Sequence, residues 1–411
     1  MIRVPLSLVA LLALLAACTT PVRDDAADGV GPITFVDGRD TTADRQVHEL
    51  VDRWNERASR REQVEFVEMP TSTDAHRAQL TARSQDLKGV RGSPECYDVM
   101  AVDTVWTAPF AAAGHLEPLD PAEFDVGRML PESVNAARSP DGGELWAIPW
   151  RSDAGLLYYR KDVLAEERVD PPTSWQELRR QASEIAPHHD LDGFVGQFGR
   201  YEGLVVNMAE AVWAHGGDLE RLDAAETKAG VRAVADGFAQ GWIPREARDY
   251  DELASLEAFQ SGRALFMRNW PFAGPVLDGD ESEVRDKWGK VALPWPSALG
   301  GWNLAVSRCS ANQKTAREFI KFITRDDNQR RMSRLAGWAP TSRALYEEPD
   351  LVPRELRDSL LGARIRRPSP HYDELTGVMQ ESLHHVLDNP DSVDQSLDQL
   401  ADDLARAAEG R

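Results

Sequence analysis

The feature that most restricts this chain is an ordered alternation of two periodicities near its start. "ITFVDG" (Ile33 to Gly38) reads as a strand, and Val47, Leu50, Val51 and Trp54 then recur at helical spacing. "QVEFVEM" (Gln63 to Met69) is a second strand. After another helical segment, "YDVMAVD" (Tyr97 to Asp103) is a third, buried one. Strand, helix, strand, helix, strand is the grammar of a parallel sheet with crossover helices. Farther on, "LWAIPW" (Leu145 to Trp150) and "GLLYYRKD" (Gly155 to Asp162) are again extended. "SWQELRRQASEIA" opens with Ser174 at the N-cap and Glu177 three residues on, a capping box. "KVALPWP" and "WNLAVS" read as short strands, and "NQKTAREFIKFIT" places Ala316, Phe319, Ile320 and Ile323 on one helical face. The last forty residues read as two helices, with Leu397, Leu400 and Leu404 forming the final stripe. No repeat of roughly 20–50 residues is present, which counts against a solenoid or propeller. The expected layout is α/β in two lobes.

The amino terminus poses a separate question. Arg3 supplies a positive head, and Val4 to Ala17 are fourteen mostly apolar residues ending at Cys18. A membrane-spanning helix needs about 20 apolar residues, so residues 1–17 read as a secretory signal. Leu15-Ala16-Ala17-Cys18 resembles the bacterial lipobox, in which the cysteine is acylated and becomes the new first residue. The alternative is an ordinary signal peptide with a chance cysteine. Residues 18–31 are polar and acidic and read as a flexible tether. The expectation is export, with a lipid on Cys18 holding the protein at the outer face of the cytoplasmic membrane.

Composition excludes several classes. At 411 residues the chain is long enough for two domains. A hydrophobic fraction of 42% with twelve tryptophans rules out disorder as the overall state. The net charge of −21 argues against nucleic acid as a partner, because phosphates would be repelled. Cys96 and Cys309 remain after Cys18. In an oxidising exterior they can pair, or they can stay two separate buried thiols.

Several blocks then carry a family resemblance. "DVMAVDTVWTAPFAAAGHLEPLD" (Asp98 to Asp120) resembles a segment of the extracellular solute-binding proteins (family 1) of carbohydrate ABC importers. "WAIPWRSDAGLLYYRKDVL" (Trp146 to Leu164), "RYEGLVVNMAEAVWAHGGDL" (Arg200 to Leu219), "GRALFMRNWPF" (Gly262 to Phe272), "GGWNLAVS" (Gly300 to Ser307) and "RRPSPHYDEL" (Arg366 to Leu375) agree with it in order and spacing. The branch most similar is that of trehalose- and maltose-binding lipoproteins. The resemblance implies a periplasmic-binding-protein fold whose two lobes, each a mostly parallel sheet flanked by helices, are joined by a multi-crossing hinge. It places residues 32–148 and 290–324 in the first lobe and 149–289 and 325–411 in the second. Both cysteines then fall in one lobe, where a disulfide would not block hinge closure. The implied partners are a sugar in the cleft and a permease pair with a cytoplasmic ATPase, with no cofactor, for a protein working as a monomer.

The chemistry of sugars suits the residues in these blocks. Carboxylates accept charge-assisted hydrogen bonds from hydroxyls, arginine donates in a planar fork, and aromatic faces cover C–H surfaces. Asp103 ends the third strand, where open α/β sheets place ligands; a cap on the following helix is the alternative. Asp153 resembles the family's second acidic contact, against a salt bridge to Arg151. Arg151 itself departs from the small or aromatic residue of the family. Trp270 and Trp302 match aromatic stacking positions, and Gly301, with Gly300, allows close approach before Trp302. Arg367 resembles the family's C-terminal arginine contact, with Arg364 and Arg366 as competing registers. Tyr201 and Glu202 open a helix that could face the cleft, and Asp40, after Asp37 and Arg39, follows the first strand. A secreted glycoside hydrolase using Asp103 and Asp153 as its acid pair is the enzyme alternative. No phosphate loop, nucleophile elbow or zinc signature occurs. His188-His189 and His384-His385 lack ligand spacing and read as solvated surface.

Overall fold

The structure is a computed structural model and describes residues 28–409; the signal segment and Cys18 lie outside the described residues. The described strands are β1 (Ile33–Gly38), β2 (Val64–Met69), β3 (Val99–Asp103), β4 (Ile148–Ala154), β5 (Leu156–Arg160), β6 (Asp192–Val195), β7 (Ala264–Asn269), β8 (Trp288–Ala292) and β9 (Leu299–Val306). They form two sheets, ordered β2-β1-β3-β9-β4 and β6-β7-β5-β8, each flanked by helices. The chain is a two-lobed α/β protein.

The alternation read from the sequence builds the first lobe. Val47, Leu50 and Val51 of the helix Gln46–Asn55 are buried against β1 and β3, with Trp54 packed beside them. On the helix Gln313–Ile323, Ala316, Phe319, Ile320 and Ile323 are all buried in the same core. Phe35 of β1 meets Phe319 at 5.3 Å and Trp150 at 5.8 Å between ring centroids, so the face of the sheet that carries Phe35 packs on aromatic rings. The second lobe buries Leu157, Phe194 and Phe266 with Leu383, Leu397 and Leu400 of the two C-terminal helices. At the helix Trp175–Glu184, the Ser174 hydroxyl accepts from the Glu177 amide at 3.2 Å. The Glu177 carboxylate turns instead to the amide and hydroxyl of Thr173.

Two expectations are corrected by the strand pairing. The sheets are mixed, with β1 parallel to β2 and β3, β6 parallel to β7, and β3–β9, β4–β9, β5–β7 and β5–β8 antiparallel. The antiparallel pairs belong to the strands next to the chain crossings: β9 re-enters the first sheet between β3 and β4, and β5, which follows β4 directly, lies between β7 and β8 in the second. The return to the first lobe also comes later than residue 290. Trp288–Ala292 pairs with β5, and the return begins with β9. It runs past residue 324, because the helix Asp326–Ala336 buries Met332 and Ala336 in the first core. A small cluster of Ala154, Ala339, Leu345 and Leu356 then packs at the crossing.

Cys96 and Cys309 are joined in a disulfide with Cα atoms 5.8 Å apart, tying the approach to β3 to the exit of β9. No helix among the described residues is long and apolar enough to cross a membrane.

Candidate functional site

A cleft of ≈ 480 Å³ opens between the two sheets. The first lobe contributes the end of β1, Arg151 and Asp153 of β4, Gly301 and Trp302 of β9, and Trp338. The second contributes Asp251 and Glu252, Trp270 after β7, and Phe272.

On the first lobe the floor is an aromatic box around one guanidinium. Arg151 lies 4.1 Å from the Trp338 ring centroid, 4.8 Å from Trp150 and 5.1 Å from Trp302. Its Nη1 and Nη2 donate to the Asp37 carboxylate at 3.1 and 3.4 Å. Cation–π attraction and a buried carboxylate therefore hold the same charge. Trp302 is fixed from behind by His76, stacked at 5.2 Å, and by Trp106, edge-on at 5.3 Å. Burial, reinforced by Arg151, holds His76 down at about 3, so the imidazole behind Trp302 is neutral. Gly301 is at φ +130°, and a Cβ there would lie 2.3 Å from the Arg151 carbonyl oxygen. Only glycine lets β9 run this close to β4.

The second lobe offers a stiffer wall. Trp270 lies on the Arg268 guanidinium, 3.9 Å from its ring centroid. Arg268 is itself held by Glu210 through Nε at 2.8 Å and Nη2 at 2.6 Å, and by Gln197 at 3.1 Å. Glu210 also accepts from Ser297 Oγ and the Ala298 amide. This ion pair is almost wholly buried and matched at both ends. The far edge of Trp270 packs on Gly300, where a Cβ would lie 2.9 Å from the ring. Its Nε1 donates to Glu252 at 3.4 Å.

Asp153 differs from every other carboxylate in the cleft. Its buried Oδ1 has no hydrogen-bond partner, and no cation forms an ion pair with it among the described residues. Burial pushes its pKa up to about 6, with Arg151 and the Ala339 backbone giving partial relief and Asp103 adding to the rise.

Of the residues expected from the sequence, Arg151, Asp153, Trp270, Gly301, Trp302 and Asp40 line the cleft. Asp40 has its oxygens occupied, however. They accept from Thr42, from the amides of Val47 and His48 and from the His48 ring, an anchor for the start of a helix. Arg151 pairs with Asp37 rather than with Asp153.

Four expected residues lie elsewhere. Asp103 accepts from Thr104 Oγ1 and the Val105 amide, both at 3.1 Å, and meets Arg366 at 3.6 Å behind the cleft. Glu202 accepts from Arg366 at 2.5 Å, Tyr372 at 2.7 Å and Thr376 at 2.6 Å. Tyr201 is buried; desolvation first and the Glu252 carboxyl second raise its hydroxyl well above the usual range. Arg367 points to solvent, its side chain 78% exposed, beside Glu220 at 3.3 Å. Arg366 is the buried member of that arginine run. It has been drawn inward by two carboxylates.

The sequence reading missed Trp338, Phe272 and Glu252. For Trp338 a faint signal existed, since Gly337-Trp338 repeats the Gly301-Trp302 dipeptide. Gly241-Trp242 has the same form and is core, so the dipeptide alone does not discriminate. Among the described residues, no group of three or more His, Cys, Asp or Glu is arranged to hold a metal ion. His189 instead pairs with Glu167 at 2.8 Å, and His384 contacts the Arg248 carbonyl.

The comparisons with known proteins agree with this architecture. Residues 49–330 match the family model of the bacterial extracellular solute-binding proteins, and the chain belongs to that family. A Deinococcus radiodurans protein named a probable ABC transporter-binding protein is 29% identical over 381 residues, 84% of this chain and 86% of that protein. The diacetylchitobiose-binding protein DasA of Streptomyces coelicolor is 24% identical over 262 residues, 60% of this chain and 61% of that protein. Maltose-bound MalE3 of T. maritima superposes with a TM-score of 0.83 at 30% identity, over 91% of this chain and 99% of that one. The family and its structural neighbours are substrate-binding proteins, not enzymes. The hydrolase alternative also lacks a free acid pair, because Asp103 is held by Arg366.

Proposed function

We propose that this protein is the sugar-capturing receptor of an ABC importer. The observation that carries the reading is the pairing of two tryptophan platforms, Trp302 and Trp270, on opposite lobes of one cleft with Asp153 and Arg151 between them. Indole faces suit the C–H side of a pyranose, and the carboxylate and guanidinium suit its hydroxyl rim. The volume lies within the usual ~300–1,000 Å³ of small-molecule clefts. A disaccharide or short oligosaccharide is the ligand, with trehalose the leading candidate and maltose next. Trehalose comes from the sequence blocks that resemble the trehalose and maltose branch, and maltose has the further support of the maltose-bound neighbour.

Binding shifts an open–closed equilibrium toward the closed form to the extent that the sugar contacts both lobes. The closed receptor then docks on the permease as a monomer. Export and acylation of Cys18 would keep it beside that permease at the outer face of the membrane.

The test is tryptophan fluorescence of the chain lacking residues 1–18, titrated with trehalose, maltose and a panel of other sugars. A saturable change without turnover supports the receptor and orders its ligands. No response to any sugar overturns the reading. For the anchor, Cys18→Ser should move the protein from the membrane fraction to the medium; unchanged membrane association would reject acylation at that site.

A further inference from the structure

The carboxylates of the cleft are not equivalent once each partner is counted. Asp37 is neutralised by Arg151. Asp40 and Asp251 are spent on helix starts, the latter accepting from the Leu253 and Ala254 amides. Asp280 and Glu281 are exposed at the rim. Two remain: Asp153 on the first lobe and Glu252 on the second. Neither forms an ion pair with any described cation, and the side chains that donate to Glu252 are neutral, the Tyr201 hydroxyl and the Trp270 indole. They bracket a single indole, since Trp270 donates from Nε1 to Glu252 while its other edge packs on Gly300, the register partner of Asp153.

A closing cleft would remove water from both carboxylates. Desolvating two like charges is expensive unless an opposite charge enters with the ligand. The guanidiniums nearby cannot supply it: Arg151 belongs to Asp37 and Arg268 to Glu210. Arg39 is exposed at the rim, where water screens it. A neutral hydroxyl can donate to either carboxylate but brings no charge. An anionic sugar would add a third negative group.

We infer that the cleft is built for a sugar carrying a basic nitrogen, an ammonium seated between Asp153 and Glu252 against the face of Trp270. Such a group makes two charge-assisted contacts and a cation–π contact at once. This rests on the receptor reading above and narrows its substrate class. Burial raises the pKa of both carboxyls, so an entering cation would also restore their ionisation.

The experiment is calorimetric titration at pH 6.5 of the chain lacking residues 1–18 with matched pairs: trehalose against trehalosamine, and maltose against its 2-amino-2-deoxy counterpart. The aminated member should bind more tightly by on the order of tenfold, and the uronic acid counterparts should bind least. Glu252→Gln should shrink the amine-to-neutral ratio toward one, and Asp153→Asn should do the same from the other lobe. Neutral sugars binding as tightly as their amines would overturn this inference and leave the sugar receptor standing. An amine preference that survives both substitutions would overturn the assignment to these carboxylates. If no member of any pair binds, the receptor reading falls and this inference falls with it.

Discussion

Two layers of acidic residues lie within a few residues of each other in this protein, and they have opposite characters. In the seam behind the cleft every charge is answered. Glu210 takes Arg268 in a two-pronged contact, and Glu202 gathers Arg366, Tyr372 and Thr376. In the cleft itself, Asp153 keeps an unpartnered oxygen, and Glu252 has only neutral side-chain donors, the Tyr201 hydroxyl and a long contact from the Trp270 indole. The seam fixes where Trp270 and the C-terminal helices sit. The cleft retains unused hydrogen-bonding capacity, the condition under which a ligand can add more than water does. A carboxylate's role here follows from its partner, not from its place on a strand or helix.

The largest effect should come from breaking the seam. Arg366→Met would strand Glu202 and Asp103 in the interior without their cation. Removing one partner of a buried pair costs about 3–5 kcal/mol, so the urea midpoint of the soluble chain should fall sharply. A loss below ~1 kcal/mol would mean that the seam is no more committed than the cleft, and the contrast would fail. Reduction of the Cys96–Cys309 disulfide should come next, at about 2–4 kcal/mol, because it releases a closed loop with a sequence separation of 213. Its effect belongs to the first lobe and should leave the Arg268–Glu210 wall in place, visible as an unchanged fraction of protected amides in the second lobe on hydrogen exchange.

The cleft should respond in the opposite direction. Asp153 has a raised pKa, from about 3.8 to about 6. Between those values the folded state therefore binds more protons than the unfolded state, and stability falls as pH rises through that window. Above pH 6 the full penalty is present. Asp153→Asn should remove it, stabilising the unliganded protein at pH 7.5 by about 1–3 kcal/mol. The gain should vanish as pH falls below 4. A variant less stable than the parent at pH 7.5 would show that Asp153 is paired after all.

Much of this fold is legible because burial imposes a period. The strands around Phe35 and Val99 and the helix carrying Phe319 are apolar at the spacing their surroundings require, so they can be read locally. The cleft is legible in part from local signals: Asp153 lies beside the end of β4, and the Gly300-Gly301 pair before Trp302 marks where β9 runs close to β4. What could not be read is the outcome of long-range competition for charge. Glu202 and Arg366 are 164 residues apart, and nothing near either shows that they meet. Asp103 ends its strand as expected, yet Arg366 reaches it from behind. Trp338 lies on a segment without strand or helix, where no period marks it.

The smallest effect, and the sharpest test of register, concerns the neighbours Arg366 and Arg367. They are adjacent in sequence, but one is buried between two carboxylates and the other is a surface ion pair with Glu220, whose side chain is 54% exposed. Exposed pairs of that kind contribute about 0–1 kcal/mol. Arg367→Ala should therefore change stability by less than ~0.5 kcal/mol and leave sugar affinity unchanged within twofold. The comparison with Arg366→Met removes composition and local sequence as explanations, because both changes delete one arginine from the same run. A tenfold loss of sugar affinity in Arg367→Ala, with stability intact, would mean that lobe closure carries Arg367 into the cleft. The C-terminal arginine contact would then belong to the exposed residue, and the buried one would serve the seam alone.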